Sequence, residues 1–564
     1  MIPDDPPRDL YRSLSEYPAA VLRAIAEAWG VPSAEISMAQ VTDDIRAAMS
    51  QPAVALRVYE GCSAAARQVI AQLAAHPAGL PSHRLVVNYG QIRKFGPVRL
   101  EREMPWRHPE TVLEELYFKG IIYRAYGTLD NYRGEVLWVP KELLESLPIN
   151  PPQPPAPVAV AEIDALQVVC YPAIDETILA TLIRLKTGKI PAIRRAAAQH
   201  DIPWPMLTER LGEPDNPERL QLIERLLFHA RLVSTQRGYL VPTAHARTWL
   251  KAPPLLRTRT LLAAWQDDPD AYEVAALGVR LEPPARLDLS ATRQRLVSTL
   301  EDTAERGGWQ SIHGWVKTLK RVRPDYLRAD GIYDAFGVRN GADSAPVVGF
   351  ESWELLEAPL AVRMLTKECA WLGLVELAAS EAGAAPDHFR ITELGSALLD
   401  QETPTPQPKA APPAEIDDQM VVHMPFEASL YDRFQLERFG TWQAGQPSPS
   451  YAITESSVWE GVNAGIKVEQ MLRFLGRITN GQVPAACSRT LLAWGGHFGR
   501  VTLSKAVVLQ TKDADEMALI MRHADLRRLM GAEISRTMRV VPEANVALLI
   551  ERLKQLGIWP AIRL

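Results

Sequence analysis

Apolar residues along this chain recur at helical spacing in short runs, each closed by glycine, alanine or proline and often followed by a pair of short β-patterned runs. Near the start, Ala19–Trp29 (AAVLRAIAEAW) reads as a helix stopped by Gly30 and Pro32, and Thr42–Met49 as a second with Thr42 at its N-cap. Then a unit repeats. In its first copy His108–Lys119 carries Val112, Leu113, Leu116 and Tyr117 on one face, with Pro109 in the first turn and Gly120 as the stop. GIIYRAY and GEVLWVP follow as a two-stranded wing, and Lys141–Leu147 closes the copy.

The second copy runs through Pro217–Ala230, a hairpin turning at Gln236-Arg237-Gly238, and a closing helix at Thr243–Leu250. The third runs through Glu357–Trp371, the strands GLVELA and HFRIT, and Glu393–Leu399. Helix, stop, hairpin and helix in this order is the pattern of a winged helix-turn-helix domain.

Two Pro/Ala-rich tracts, Pro148–Ala161 and Glu402–Glu415, divide the chain as extended linkers. The expected map is an N-terminal helical segment (1–55), winged helix 1 (56–147), a linker (148–161), winged helix 2 (162–252), winged helix 3 with an insertion (253–401), a linker (402–415) and a last domain (416–564). The fold class expected is α+β, mainly helical, with tandem winged helices followed by a small α/β domain.

Charge adds a second pattern. Lys+Arg number 62 and Asp+Glu 67, a mildly acidic chain. Yet Gly61–Leu100, Thr177–His200, Arg306–Pro324 and Gln470–Lys512 hold no acid, and carry five, five, five and six Lys/Arg. Basic windows on an anionic body suit phosphate backbones or acidic protein surfaces. The candidate contact residues are Arg93, Lys94 and Arg99; Arg194 and Arg195; Lys317, Lys320 and Arg321; and Arg489, Arg500 and Lys505. The helix preceding each wing is not basic: Glu110, Glu114 and Glu115 stand in the first, Glu218 and Glu224 in the second. Carboxylates in a DNA groove face phosphate repulsion, so base reading by these helices is not expected.

The four cysteines (Cys62, Cys170, Cys369, Cys487) lie far apart without CxxC spacing, which points to a reducing cytoplasm and away from structural zinc. No apolar run reaches membrane-spanning length. No metal and no cofactor is expected.

In the last domain, Met420–Met424 reads as a strand, Glu427–Phe439 as a helix, and Tyr451–Ile478 as a helix–turn–helix capped by Thr454 and turning at Ala464-Gly465-Ile466. A further helix starts at Pro484, strands follow in RVTLSKAVVLQT and SRTMRVVP, and Glu543–Leu556 closes the chain. Trp494, His497 and Phe498 interleave with the basic residues, as either a stacking surface or core.

This order resembles the accessory domain that precedes the motor in XPB-type helicases, and bacterial proteins named for that domain. The residues that carry the resemblance are Tyr451-Ala-Ile-Thr, Ala464-Gly465-Ile466, Val483-Pro484, Phe498-Gly499-Arg500-Val501, Ala506–Gln510 and Leu556-Gly557-Ile558-Trp559-Pro560. The winged-helix array is similar in architecture to the TFIIH subunit that partners XPB. A motor needs a P-loop, and no G-x-x-x-x-G-K-[ST] occurs in the sequence. Asp515-Glu516-Met517-Ala518 has only the first two letters of a DExD/H box. The resemblance therefore implies a non-enzyme that contacts duplex DNA, or a scaffold docking a separate ATPase or a repair or transcription partner.

Overall fold

The computed structural model describes residues 9–32, 37–129, 132–149, 166–188, 190–192, 216–341, 344–381, 383–400, 411–445, 448–498 and 506–562. Most of both Pro-rich tracts lies outside these residues. The chain mixes helices with several small sheets and divides into two compact units. The first comprises Met1–Pro413, Met424–Arg438 and Gln443–Ser450; the second comprises Ala414–His423, Phe439–Trp442 and Tyr451–Leu564.

Within the first unit one arrangement recurs. In its first occurrence helix Ala64–Ala74 leads to strand Leu80–Pro81, helices Ser82–Tyr89 and Val112–Phe118, and the hairpin Tyr123–Leu129/Tyr132–Trp138. The short strand pairs with the second hairpin strand, Leu80 opposite Leu137. The same order returns in Leu289–Thr303, Gln310–Ser311, Ile312–Val322, Glu357–Met364 and the hairpin Val375–Ala379/His388–Ile391. There the short strand again lies beside the second hairpin strand, His388 opposite Ser311. Between these two, Ile174–Thr187 and Pro217–His229 precede the hairpin Val233–Gln236/Tyr239–Pro242, and Pro191 bridges to Tyr239. This hairpin turns through Arg237 (φ 50°) and Gly238 (φ 81°), both left-handed as a two-residue turn between twisted strands requires.

Local chemistry sets most element ends. The helix expected over His108–Lys119 is the shorter Val112–Phe118, because Thr111 accepts from the Glu114 amide and so is the N-cap; Pro109 lies before it. Gly120 (φ 65°) ends this helix, and a Cβ there would meet Ile25 Cγ2 at 2.9 Å. Helix Met38–Met49 begins four residues earlier than expected, capped by Ser37 rather than Thr42. Glu357–Trp371 is continuous but passes through a π-helical turn at Leu365–Cys369.

Two hydrophobic cores organise the first unit. One runs from Leu10 to Leu147 and the other from Ile174 to Leu399 without a break at residue 252. The second and third repeats thus share a core, cross-braced by Glu218 of one with Arg363 (3.3 Å) and Lys367 of the other. Leu430 and Phe434 belong to that core too, on a helix, Leu430–Leu436, shorter than the expected Glu427–Phe439 because Ser429 caps it. Arg433 of this helix is bound to Glu176.

The second unit contains helices Glu455–Asn463, Val468–Ile478 and Ala485–His497, then Val507–Gln510, Ala514–Arg522, Ala524–Leu529, Glu533–Ser535, Met538–Val541 and Val546–Gln555. Thr454 and Ser457 form a reciprocal capping box, and Gly465 (φ 86°) makes the expected turn. The strand Met538–Val541 is central in its sheet, with Val507–Gln510 on one side and Glu533–Ser535 on the other. Ile520, Leu526, Val541, Leu549 and Leu553 form the core beneath it. Among the described residues no helix is long and apolar enough to cross a membrane, and no three His, Cys, Asp or Glu are grouped to hold a metal ion.

Candidate nucleic-acid interface

A helix can enter a groove only with a face left open. The helix before the first hairpin, Val112–Phe118, has no exposed residue. The N-terminal helices cover it: Trp29 Nε1 donates to Lys119 O at 2.7 Å and Tyr17 Oη to Ile122 O at 3.0 Å. Glu357–Met364 likewise has no exposed residue, and Pro217–His229 exposes only its two ends. These last two helices are held to each other, Glu218 binding both Arg363 (3.3 Å) and Lys367. The carboxylates that argued against groove reading thus have structural partners, and the helices that bear them are packed away.

Several candidate cations are committed in the same way. The Arg93 guanidinium grips the buried Glu114 carboxylate through Nε (2.6 Å) and Nη2 (2.8 Å), and also reaches Glu110. Burial pushes the Glu114 carboxyl up, but Arg93 and two backbone amides outweigh it and hold the group below its ordinary range. Arg99 pairs with Glu103 at 2.8 Å, and Phe95 lies under both Arg93 and Arg99. Lys320 binds Glu354 and sits over the Phe350 and Trp353 rings. In the same windows Arg84 is bound to the buried Asp325 at 3.0 Å, and Arg323 donates to Arg295 O. Lys94, Lys317, Arg321 and Arg489 are exposed, with no carboxylate within 4 Å among the described residues. Arg194, Arg195, Arg500 and Lys505 lie outside the described residues.

The C-terminal stretch of the second unit has the opposite balance. Gln470–Leu564 contains 14 Lys/Arg against 7 Asp/Glu, in a chain whose net charge is −5. Among the described residues, Arg539 pairs with Glu533. Arg473, Arg489 and Lys512 are exposed. So are Arg522, His523, Arg527 and Arg528, which crowd the junction between helices Ala514–Arg522 and Ala524–Leu529. Trp494 and Phe498 are half-buried.

The junction cluster was not among the sequence candidates because Asp513, Asp515, Glu516 and Asp525 interrupt the acid-free window. Those acids open the helices, where Asp513 accepts from the Glu516 amide at 2.9 Å, and the basic residues close them. Acids at helix starts and bases at helix ends follow the backbone dipole, and that segregation is a signal a window count averages out.

No curated protein matches the chain. The helicase conserved C-terminal domain family matches residues 416–535, less than a quarter of the length. Arg473, Arg489, Lys512 and the 522–528 junction, exposed and without a carboxylate partner among the described residues, fall inside the matched span.

Proposed function

We propose that this chain is a non-catalytic helicase-accessory protein that holds duplex nucleic acid through phosphate contacts from its second unit, without reading bases. The observation that carries the reading is the set Arg522, Arg527 and Arg528, exposed and without an ion pair among the described residues, within a span related to helicases. Free guanidinium groups release condensed counterions when they meet phosphate, whereas a cation already paired must first break that pair. The recurring order in the first unit, with a short strand beside the second hairpin strand, supports winged helices whose third helices serve as packing elements.

A passive role fits the acidic residues as well. Asp515 and Glu516 open a helix, Glu516 Oε2 accepts from the Lys512 amide at 3.2 Å, and no P-loop precedes them. A second reading, docking of a separate ATPase, is favoured by the covered third helices, which leave the first unit better suited to protein contact than to groove reading.

The test is Arg522→Gln/Arg527→Gln/Arg528→Gln in the full chain, with duplex affinity measured by fluorescence anisotropy at about 50 and about 200 mM salt. Each lost phosphate contact should flatten the log–log salt slope by ~0.9, so three contacts lower it by about 2.7. Two duplexes of unrelated sequence should lose affinity alike. An unchanged slope, or no duplex binding by the wild type at low salt, overturns the reading.

A further inference from the structure

A trough of about 910 Å³ lies between helix Ile312–Val322 and helix Glu357–Met364 of the first unit. Its floor is apolar, built from Ile312, Val316, Ala358, Pro359 and Val362, with Leu277 at one end. Its rim is basic. Lys320 is bound by Glu354, Lys367 and Arg363 by Glu218, and His388 by Asp387 (2.8 Å). His313 and Lys317, one helical turn apart on the 312–322 helix, are exposed and have no carboxylate partner among the described residues. The Lys317 ammonium and the His313 imidazole, both uncommitted, therefore lie along one wall.

An occupant must bring apolar side chains to the floor and negative charge to that wall. A nucleic-acid strand fits poorly, because the one indole of the lining has no open face on which to stack a base. Trp353 is 1% exposed, its indole N–H donates to Pro324 O at 3.0 Å, and Lys320 covers its face. An α-helix with an apolar stripe and an acidic flank satisfies both demands at once. The 11-residue wall helix is ~16 Å long, room for about three turns of a bound helix.

We propose that this trough receives an acidic amphipathic helix from a partner protein, apolar stripe down, with its carboxylates against Lys317 and His313. Lys317 then serves protein docking rather than phosphate contact, and the two units divide the two kinds of partner between them.

A displayed library of random peptides of about 16 residues, selected on the full chain, tests this directly. Enriched sequences should carry apolar residues at i, i+3 or i+4, and i+7, with net negative charge. For a synthetic enriched peptide, Lys317→Glu and Ala358→Leu should each raise the dissociation constant at least about tenfold, the first by reversing the wall charge and the second by filling the floor. A peptide with its acids exchanged for lysine should recover binding to the Lys317→Glu variant. Duplex affinity of both variants should stay within about twofold of wild type, which separates this proposal from the duplex-binding reading.

Lys317 is exposed, so its variant keeps the fold even if the larger Ala358 side chain does not, and the charge-swapped peptide then decides. The proposal fails if selection enriches no acidic amphipathic sequence, or if binding ignores Lys317→Glu. It fails equally if duplex displaces the peptide, or if a second copy of the chain occupies the trough in solution.

Discussion

Replacing Arg93 with alanine distinguishes a structural cation from a phosphate ligand. In the folded chain Arg93 supplies two side-chain donors to a carboxylate whose side chain is 0% exposed, and it is itself 26% exposed. Removing it leaves Glu114 with only the backbone donors of residues 93 and 110, each at 3.0 Å. Breaking a buried pair by removing one partner costs ~3–5 kcal/mol, and the surviving amides place this case at the low end, about 3 kcal/mol. Spread over the core that runs from Leu10 to Leu147, that corresponds to a fall of about 10 °C in its unfolding midpoint.

The deficit should depend on pH with a definite sign. Glu114 has a lowered pKa when folded, so its contribution is present above the unfolded carboxylate value and disappears as pH falls through the folded one. The gap between wild type and Arg93→Ala should therefore be full at neutral pH and close in acid. Calorimetry of the full chain, with hydrogen exchange of helix Val112–Phe118, measures the loss and locates it. Duplex affinity should be unchanged. A midpoint within about 1 °C of wild type, combined with a clear loss of duplex binding, would refute the assignment and restore Arg93 as a phosphate contact.

Two further outcomes follow from the first unit. Burial raises the Glu357 carboxyl to about 7 against the pull of Arg328, and burial with the nearby Glu273 raises Glu368 to about 8 against Arg363. Both groups keep their proton in the folded chain over a range where the unfolded chain has lost it, so together they reduce stability as pH rises from about 4.5 to about 8. Glu357→Gln/Glu368→Gln should flatten that part of the thermal midpoint profile, and a profile parallel to wild type would count against it. A Cβ at Gly395 would lie 2.1 Å from Leu374 O, so Gly395→Ala should destabilise the third hairpin by several kcal/mol; a midpoint equal to wild type in the same scans would contradict this contact.

Where an element is set by neighbouring residues, the sequence and the structure agree closely. Ala19–Trp29 and Glu393–Leu399 have the expected bounds, the hairpin turns at Arg237-Gly238, and Thr454 caps its helix. Boundaries moved where a polar side chain one turn away captured the cap, as Thr111, Ser37 and Ser429 did. The candidate site was legible in part. Of the charges in the acid-free windows, Lys94, Lys317, Arg321 and Arg489 are exposed with no carboxylate partner among the described residues, while the windows leave out Arg522, Arg527 and Arg528, whose helices begin with acids.

The sequence alone determined the alternation of helices and hairpins, the sorting of charge into windows, and the lack of a P-loop, because propensity, turn chemistry and motif spacing act over a few residues. Only the tertiary structure decided which of those charges are available. Arg84 meets Asp325 across 241 positions, Arg433 meets Glu176 across 257, and Glu218 meets Arg363 across 145. An ion pair forms wherever packing brings opposite charges together, however far apart they lie in the chain, and the same packing covered the helices before each hairpin. Free positive charge on the second unit and an open basic-rimmed trough on the first are what that packing left exposed.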